Sequence, residues 1–147
     1  MVNSHGYIYY NLCKRYALQR KWLKKYMNNR EETLKVLSND RKEAKKIMMK
    51  IFNGEYQVKK EKSEILYNLS EELKTNRKEI IKYHKKIVEN VREKHKKNNK
   101  KVRCEIGSYF SSILQEYEKC LIIKVVKYLQ SKGYEVGVMV HDGCHVL

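Results

Sequence analysis

Two groups of residues in this 147-residue chain could do chemistry. The first is His141-Asp142-Gly143, set between the apolar runs Val136 to Val140 and Cys144 to Leu147. Asp-Gly between apolar segments predicts a tight hairpin whose central residues take positive φ. A carboxylate raised on such a turn, with an imidazole beside it, stands where a metal-dependent phosphoryl-transfer enzyme needs a ligand. The same residues also suffice for a turn and nothing more, because Asp and Gly are what the geometry demands. The second group is Arg41, Lys45, Met49 and Asn53, each four residues from the next, with Gly54 following. That spacing puts all four on one helical face, beside the apolar stripe of Ala44, Ile47, Met48, Ile51 and Phe52. A guanidinium and an ammonium one turn apart can grip a triphosphate, the first as a fork and the second as a point charge. An ordinary lysine-rich solvent face is the alternative. A third grouping, His141, Cys144 and His145 with Cys104, has zinc-ligand types at a spacing that matches no standard knuckle.

The elements that must position these residues are mostly helical. Proline is absent, which suits a helical chain with few sharp breaks. Ile8, Leu12, Tyr16, Leu23 and Tyr26 recur at helical spacing and predict two short helices broken near Arg20. A short helix carries Leu34 and Leu37, and Ser38-Asn39-Asp40 is an N-cap cluster for the helix that ends at Gly54. Residues 55–62 are polar and predict a loop. Helix resumes near Ser63, and Asn76 with Glu79 has the spacing of a capping box restarting a helix that buries Ile80, Ile81, Ile87 and Val91. Residues 92–103 are too basic to pack and predict a frayed helix end or loop, whose Lys96, Lys97, Lys100 and Lys101 could contact phosphates. Ser108 can cap a long helix to Lys132, with Phe110, Ile113, Leu114, Tyr117, Leu121, Val125 and Leu129 on its apolar face. Gly133 ends it. In the strand that follows, Val136, Val138 and Val140 alternate with Gly137 and Met139, which predicts burial on both sides.

Composition narrows the partners. Lys plus Arg total 33 against 17 acids, a net charge of +16, which points to a polyanion such as nucleic acid or an acidic membrane surface. Twelve tyrosines against two phenylalanines give many rings a polar tip for a wet interface. The four cysteines form no Cys-x-x-Cys pair and read as free thiols of a reducing compartment. No apolar run approaches a membrane span and no signal-peptide core is present, so an intracellular, soluble protein is expected.

Taken together, the two chemical groups resemble motifs of family A DNA polymerases. Arg41-x-x-x-Lys45-x-x-x-Met49-x-x-x-Asn53-Gly54 is similar to the fingers helix, and Val140-His141-Asp142 to the palm hairpin. The likeness is to the divergent transposon and viral members, with a Ser111-Ser112-x-x-Gln115-x-x-Glu118 helix and a Gly133-Tyr-Glu-Val-Gly-Val138 stretch before the His-Asp-Gly turn. Val2 to Gly6 resembles the segment after the first catalytic Asp, and Tyr26 to Glu31 the helices that follow it. The resemblance implies an α+β fold whose hairpin belongs to a polymerase palm. Residues 1–147 would be a single partial domain, with a nucleotide-binding helix at 38–54, a basic loop at 92–103, and palm helix and hairpin at 108–147.

It also implies two-metal attack of a primer 3′-hydroxyl on a deoxynucleotide. Asp142 would hold Mg2+, Arg41 and Lys45 the β- and γ-phosphates, and His141 and Gln115 would lie near the primer terminus or template strand. Ser112 would also face nucleic acid, or simply pack on the helix surface, as would Glu118. The expected partners are primer-template, nucleotide, and the remaining polymerase segment or a replicative helicase or primase. Three departures stand out. Met49 and Asn53 occupy positions that are usually aromatic, Gly143 replaces a second acid, and no acid precedes His5. The first metal-binding Asp is therefore expected upstream of Met1 in a fragment inactive on its own. A non-catalytic basic helical module that coats nucleic acid is the alternative.

Overall fold

The computed structural model describes residues 4–61, 63–98, 104–140 and 143–146. In order these form α1 Ser4–Arg15, α2 Lys21–Asn28, α3 Arg30–Leu37, α4 Arg41–Asn53, α5 Glu64–Lys82, α6 Lys85–Lys97, α7 Glu105–Ser131, β1 Val136–Val140 and β2 Gly143–Val146. The chain is mostly helical, with one antiparallel hairpin. No helix among the described residues is long and apolar enough to cross a membrane.

Local chemistry explains most boundaries. Asp40 caps α4 by accepting the Lys42 N–H at 2.8 Å, and Ser38 Oγ in turn accepts the Asp40 N–H at 3.2 Å. Gly54 closes α4 in the left-handed region at φ 79°, with the Glu55 N–H returning to the Lys50 carbonyl. Gly133 closes α7 the same way at φ 84°. The break after α1 uses Ala17 at φ 53°, with the Leu18 N–H reaching back to the Cys13 carbonyl.

Several expectations are corrected. Asn76 does not start a helix: α5 runs unbroken through it to Lys82. Its buried amide donates to the Gln19 carbonyl at 2.6 Å and to Cys13 Sγ at 3.3 Å, so it ties the α1–α2 turn to α5. A polar side chain with tertiary partners mimics a cap at the level of spacing alone. The break comes instead at Tyr83-His84. The basic stretch from Arg92 is helical through Lys97, because Val88 and the half-buried Val91 and His95 anchor α6 against the body; positions 99–103 lie outside the described residues. Helix α7 starts at Glu105, capped by Cys104, whose Sγ accepts the Gly107 N–H at 3.3 Å; Ser108 falls inside its first turn.

The apolar face of α7 is only half used. Phe110, Ile113 and Leu114 are buried, whereas Leu121 and Val125 are 39% and 47% exposed. At ~1.5 Å per residue its 27 residues outreach α1 and α4, so the second half runs past them. The hairpin packs against α7, and where burial is described, at Val136 and Gly137, the strand is half-buried and exposed and not covered on both sides. Gly143 pairs with Val140, so the connecting residues are His141 and Asp142, not Asp142 and Gly143; those two lie outside the described residues.

The core is a helix bundle centred on Tyr9. Its ring lies 4.5 Å from Phe110 and 5.9 Å from Phe52, and its hydroxyl donates to the Leu73 carbonyl at 2.6 Å. Helices α1, α4, α5 and α7 thus meet on one side chain. Burial keeps the Tyr9 hydroxyl well above its ordinary pKa and pushes the Cys13 thiol up to about 12. Arg77 of α5 is buried, and its guanidinium donates to the Ile51 and Phe52 carbonyls at 3.0 and 2.8 Å, where the negative end of α4 welcomes a cation. Glu72 does the converse for α2, accepting the Trp22 and Leu23 N–H groups at 3.1 and 2.9 Å.

Candidate nucleotide and nucleic-acid site

Helix α4 turns Ala44, Met48, Ile51 and Phe52 inward and leaves Arg41 and Met49 exposed, with Lys45 and Asn53 half-buried. Arg41, Lys45 and Met49 therefore form an outward strip, and Asn53 ends it facing α7. Arg41 and Asn53 sit at opposite ends of it, ~18 Å apart along the axis at ~1.5 Å per residue. Arg41 is engaged: its Nε and Nη2 each donate to Glu31 of α3 at 2.9 Å, a bidentate fork. The hydrogen bond from Arg41 holds the Glu31 carboxyl down at about 2, and Glu31 raises the pKa of Arg41 in return. A phosphate coming to Arg41 must share the guanidinium with that carboxylate or displace it.

At the other end, the Asn53 Oδ1 atom is buried with no hydrogen-bond partner. The residue borders a cavity of about 370 Å³ whose walls include Cys104, Ser108, Ser111, Ser112 and Gln115 of the α7 side. The positions 108, 111, 112 and 115 follow helical spacing and share one face of α7. The close approach depends on Gly107. A Cβ there would lie 2.2 Å from the Asn53 carbonyl oxygen. Thus Asn53, Ser112 and Gln115, all picked out by sequence, converge on one polar cavity. Ser108 also ties this wall to α6, its Oγ lying 3.2 Å from His95 Nε2. Lys96 and Lys97 follow on the exposed last turn of α6.

A second meeting joins the N-terminal segment to α7. Ser4 Oγ donates to Glu118 Oε1 at 2.5 Å, and His5 Nε2 lies 3.3 Å from Glu118 Oε2. Glu118 therefore does more than sit on a helix surface. Asp142, His141, Lys100 and Lys101 lie outside the described residues, as do the side chains of Cys144 and His145. Among the described residues, no three His, Cys, Asp or Glu side chains gather to hold a metal. The contacts made by Glu31, Cys104 and His95 were not evident from sequence: each reaches a partner on another helix, and no local spacing signals that.

The end of the bundle where α1, α5, α6 and α7 meet carries an aromatic array. Tyr16 stacks on Tyr83 at 4.1 Å and 4°, its hydroxyl lies 3.1 Å from His84 Nε2, and His84 meets Tyr117 edge-on at 5.6 Å. Burial, helped by the Arg15 cation, lowers the His84 pKa. Below its ordinary value of about 6.5 the unfolded chain takes up the proton that the folded chain resists. Stability attributable to His84 is therefore complete above that value and is lost as pH falls below it. The urea midpoint is expected to drop between about pH 7 and pH 5, and His84→Gln to remove much of that dependence. An unchanged profile in the variant would remove His84 as its cause.

No protein-family model, curated protein or solved structure matches this chain.

Proposed function

We propose that this chain is the fingers-and-palm part of a template-directed nucleotidyltransferase of the family A DNA polymerase type, serving replication of a viral or mobile element. The observation that carries the proposal is the shared cavity: Asn53 from the strip on α4 and Ser112 and Gln115 from α7, more than fifty residues apart in sequence, line one space. The contact of Ser4 and His5 with Glu118 adds support, because it sets the N-terminal motif against the same helix. Lys45 and a released Arg41 neutralise the β- and γ-phosphates of a deoxynucleotide, while Gln115 and Ser112 meet the primer or template and His141 flanks the primer terminus. Lys96, Lys97, Lys100 and Lys101 steer the phosphate backbone.

Asp142 would be one ligand of magnesium, which would supply the polarisation of the α-phosphate that attack by the primer 3′-hydroxyl needs. Asp142 supplies one carboxylate, and one carboxylate does not hold a pair of cations. On this proposal the second comes from a segment joined ahead of residue 1, or from another polymerase subunit, helicase or primase assembled with it. The 147-residue chain alone then binds nucleotide and primer-template but does not extend.

The test is titration of a fluorescent deoxynucleotide, with Mg2+ and primer-template, into the chain and its variants. Arg41→Ala and Lys45→Ala are each expected to weaken binding by about tenfold, the scale of one charge-assisted hydrogen bond. Glu31→Gln is expected to tighten it by freeing Arg41. Primer-template affinity should fall steeply with salt as lysine contacts release counterions. The Arg41–Glu31 fork favours a second reading, a non-catalytic basic module coating nucleic acid, since it leaves the guanidinium occupied. Salt-dependent oligonucleotide binding with nucleotide binding absent, or indifferent to both substitutions, would select that reading.

A further inference from the structure

We propose that the aromatic array at the meeting of α1, α5, α6 and α7 is a stacking platform for single-stranded nucleic acid, separate from the nucleotide cavity. Tyr83 is 59% exposed although one face of its ring is covered by Tyr16. The other face is therefore open to solvent. The ring is already held in place: Tyr16 lies parallel beneath it, and Tyr16 is fixed by His84, which is fixed by Tyr117. A flat, pre-ordered aromatic surface accepts the π-face of any base with little further loss of side-chain freedom.

The surroundings suit a phosphate backbone. Arg15 stands 5.8 Å from the Tyr16 ring centre and donates to the Tyr117 hydroxyl at 3.4 Å. Helix α6 opens beside Tyr83 with Lys85 and Lys86 and has no acidic residue in its first turn. None of these three cations forms an ion pair among the described residues. Arg15 and Tyr117 also border a largely apolar groove of about 460 Å³ that runs along Tyr7, Ile8, Leu12 and Leu121. Arg15 thus borders the groove and also lies against the Tyr16 ring that underlies Tyr83, where it can meet the backbone phosphate of a strand whose base stacks there. Duplex offers no free base face, so it gains only the charge contacts.

Gln115 and Tyr117 are two residues apart on α7, about 200° around its axis, so groove and nucleotide cavity open on opposite faces. The platform thus rests on the proposed function only for its ligand class, and not on the nucleotide cavity.

The experiment is fluorescence anisotropy of a labelled oligothymidylate, and of a duplex of equal length, with the full chain. Tyr83→Ala is expected to weaken single-strand binding roughly 5- to 100-fold, the scale of one lost base stack, and duplex binding little. Tyr83→Phe should bind like the parent, because the ring and not the hydroxyl does the stacking. Tyr83→Trp should retain binding and show indole quenching beyond that of Trp22 when the oligonucleotide is added. Equal single-strand affinity in the parent and Tyr83→Ala overturns the platform while leaving the nucleotide titration untouched. Equal losses for single strand and duplex, or loss in Tyr83→Phe, overturn it as well. A parent chain that binds neither oligonucleotide overturns both the platform and the nucleic-acid part of the proposed function.

Discussion

Gly107→Ala is expected to lower the stability of the fold by about 3 kcal/mol, a Tm shift of roughly 6–12 °C for a domain of this size. Glycine to alanine inside a helix ordinarily gains about 1 kcal/mol, so the sign itself is diagnostic. The reason for the reversal is that the new Cβ would stand 2.2 Å from the Asn53 carbonyl oxygen, a backbone atom at the end of α4 that cannot rotate away. Either α4 or α7 must shift by about an ångström, and the core residues they share, Phe52 and Phe110, move with them. The control is Gly133→Ala. That glycine has φ 84° but nothing within 4 Å, so only the conformational cost of about 1 kcal/mol remains. Thermal or urea unfolding of the two variants side by side distinguishes close approach from backbone geometry. Equal losses would mean that the α4–α7 contact is softer than this spacing implies.

The second large effect belongs to Arg77. Truncating it to alanine leaves the Phe52 carbonyl without its side-chain donor, strips a cation from the C-terminal end of α4 and opens a void under Gly54. A loss of about 3 kcal/mol is expected. Burial already pulls the Arg77 pKa down, a sign that the site tolerates the charge at some cost. Arg77→Met fills the space without burying a charge and should recover part of the loss, as apolar replacements of buried ions often do. Arg77→Lys retains charge but has a shorter, narrower head that fills less of the space under Gly54, so it should fall between wild type and alanine. If methionine proves as damaging as alanine, the hydrogen bonds dominate. If methionine is neutral, packing does.

Some of this architecture was legible in the residues. Asp40 and Gly54 mark both ends of α4 because caps act within a few residues of the chain, and local chemistry is what sequence displays. The same locality made Asn76 misleading, since its partners Cys13 and Gln19 lie more than fifty residues away. Arg77 was hidden among many surface cations: nothing in its neighbours signals that one arginine of thirty-three basic residues turns inward. For the candidate site, the strip on α4 and the Ser112–Gln115 face of α7 follow from helical periodicity. Their convergence does not, because it depends on Gly107 allowing two helices to touch. The Glu31 fork on Arg41 was equally invisible, as it spans two helices and ten positions. The His141-Asp142 tip was the clearest chemical signal in the chain, and it lies outside the described residues.

The position of Tyr9 has a mechanical consequence. One ring is wedged between Phe52 of α4 and Phe110 of α7 while its hydroxyl is pinned to the α5 backbone. Swinging α4 outward as a rigid lever would therefore disturb that whole contact at once, on top of the Arg77 clamp at the same end of the helix. Rotating the Arg41 side chain off Glu31 asks for none of that. Opening and closing in this molecule is cheap at the scale of a side chain and dear at the scale of a helix.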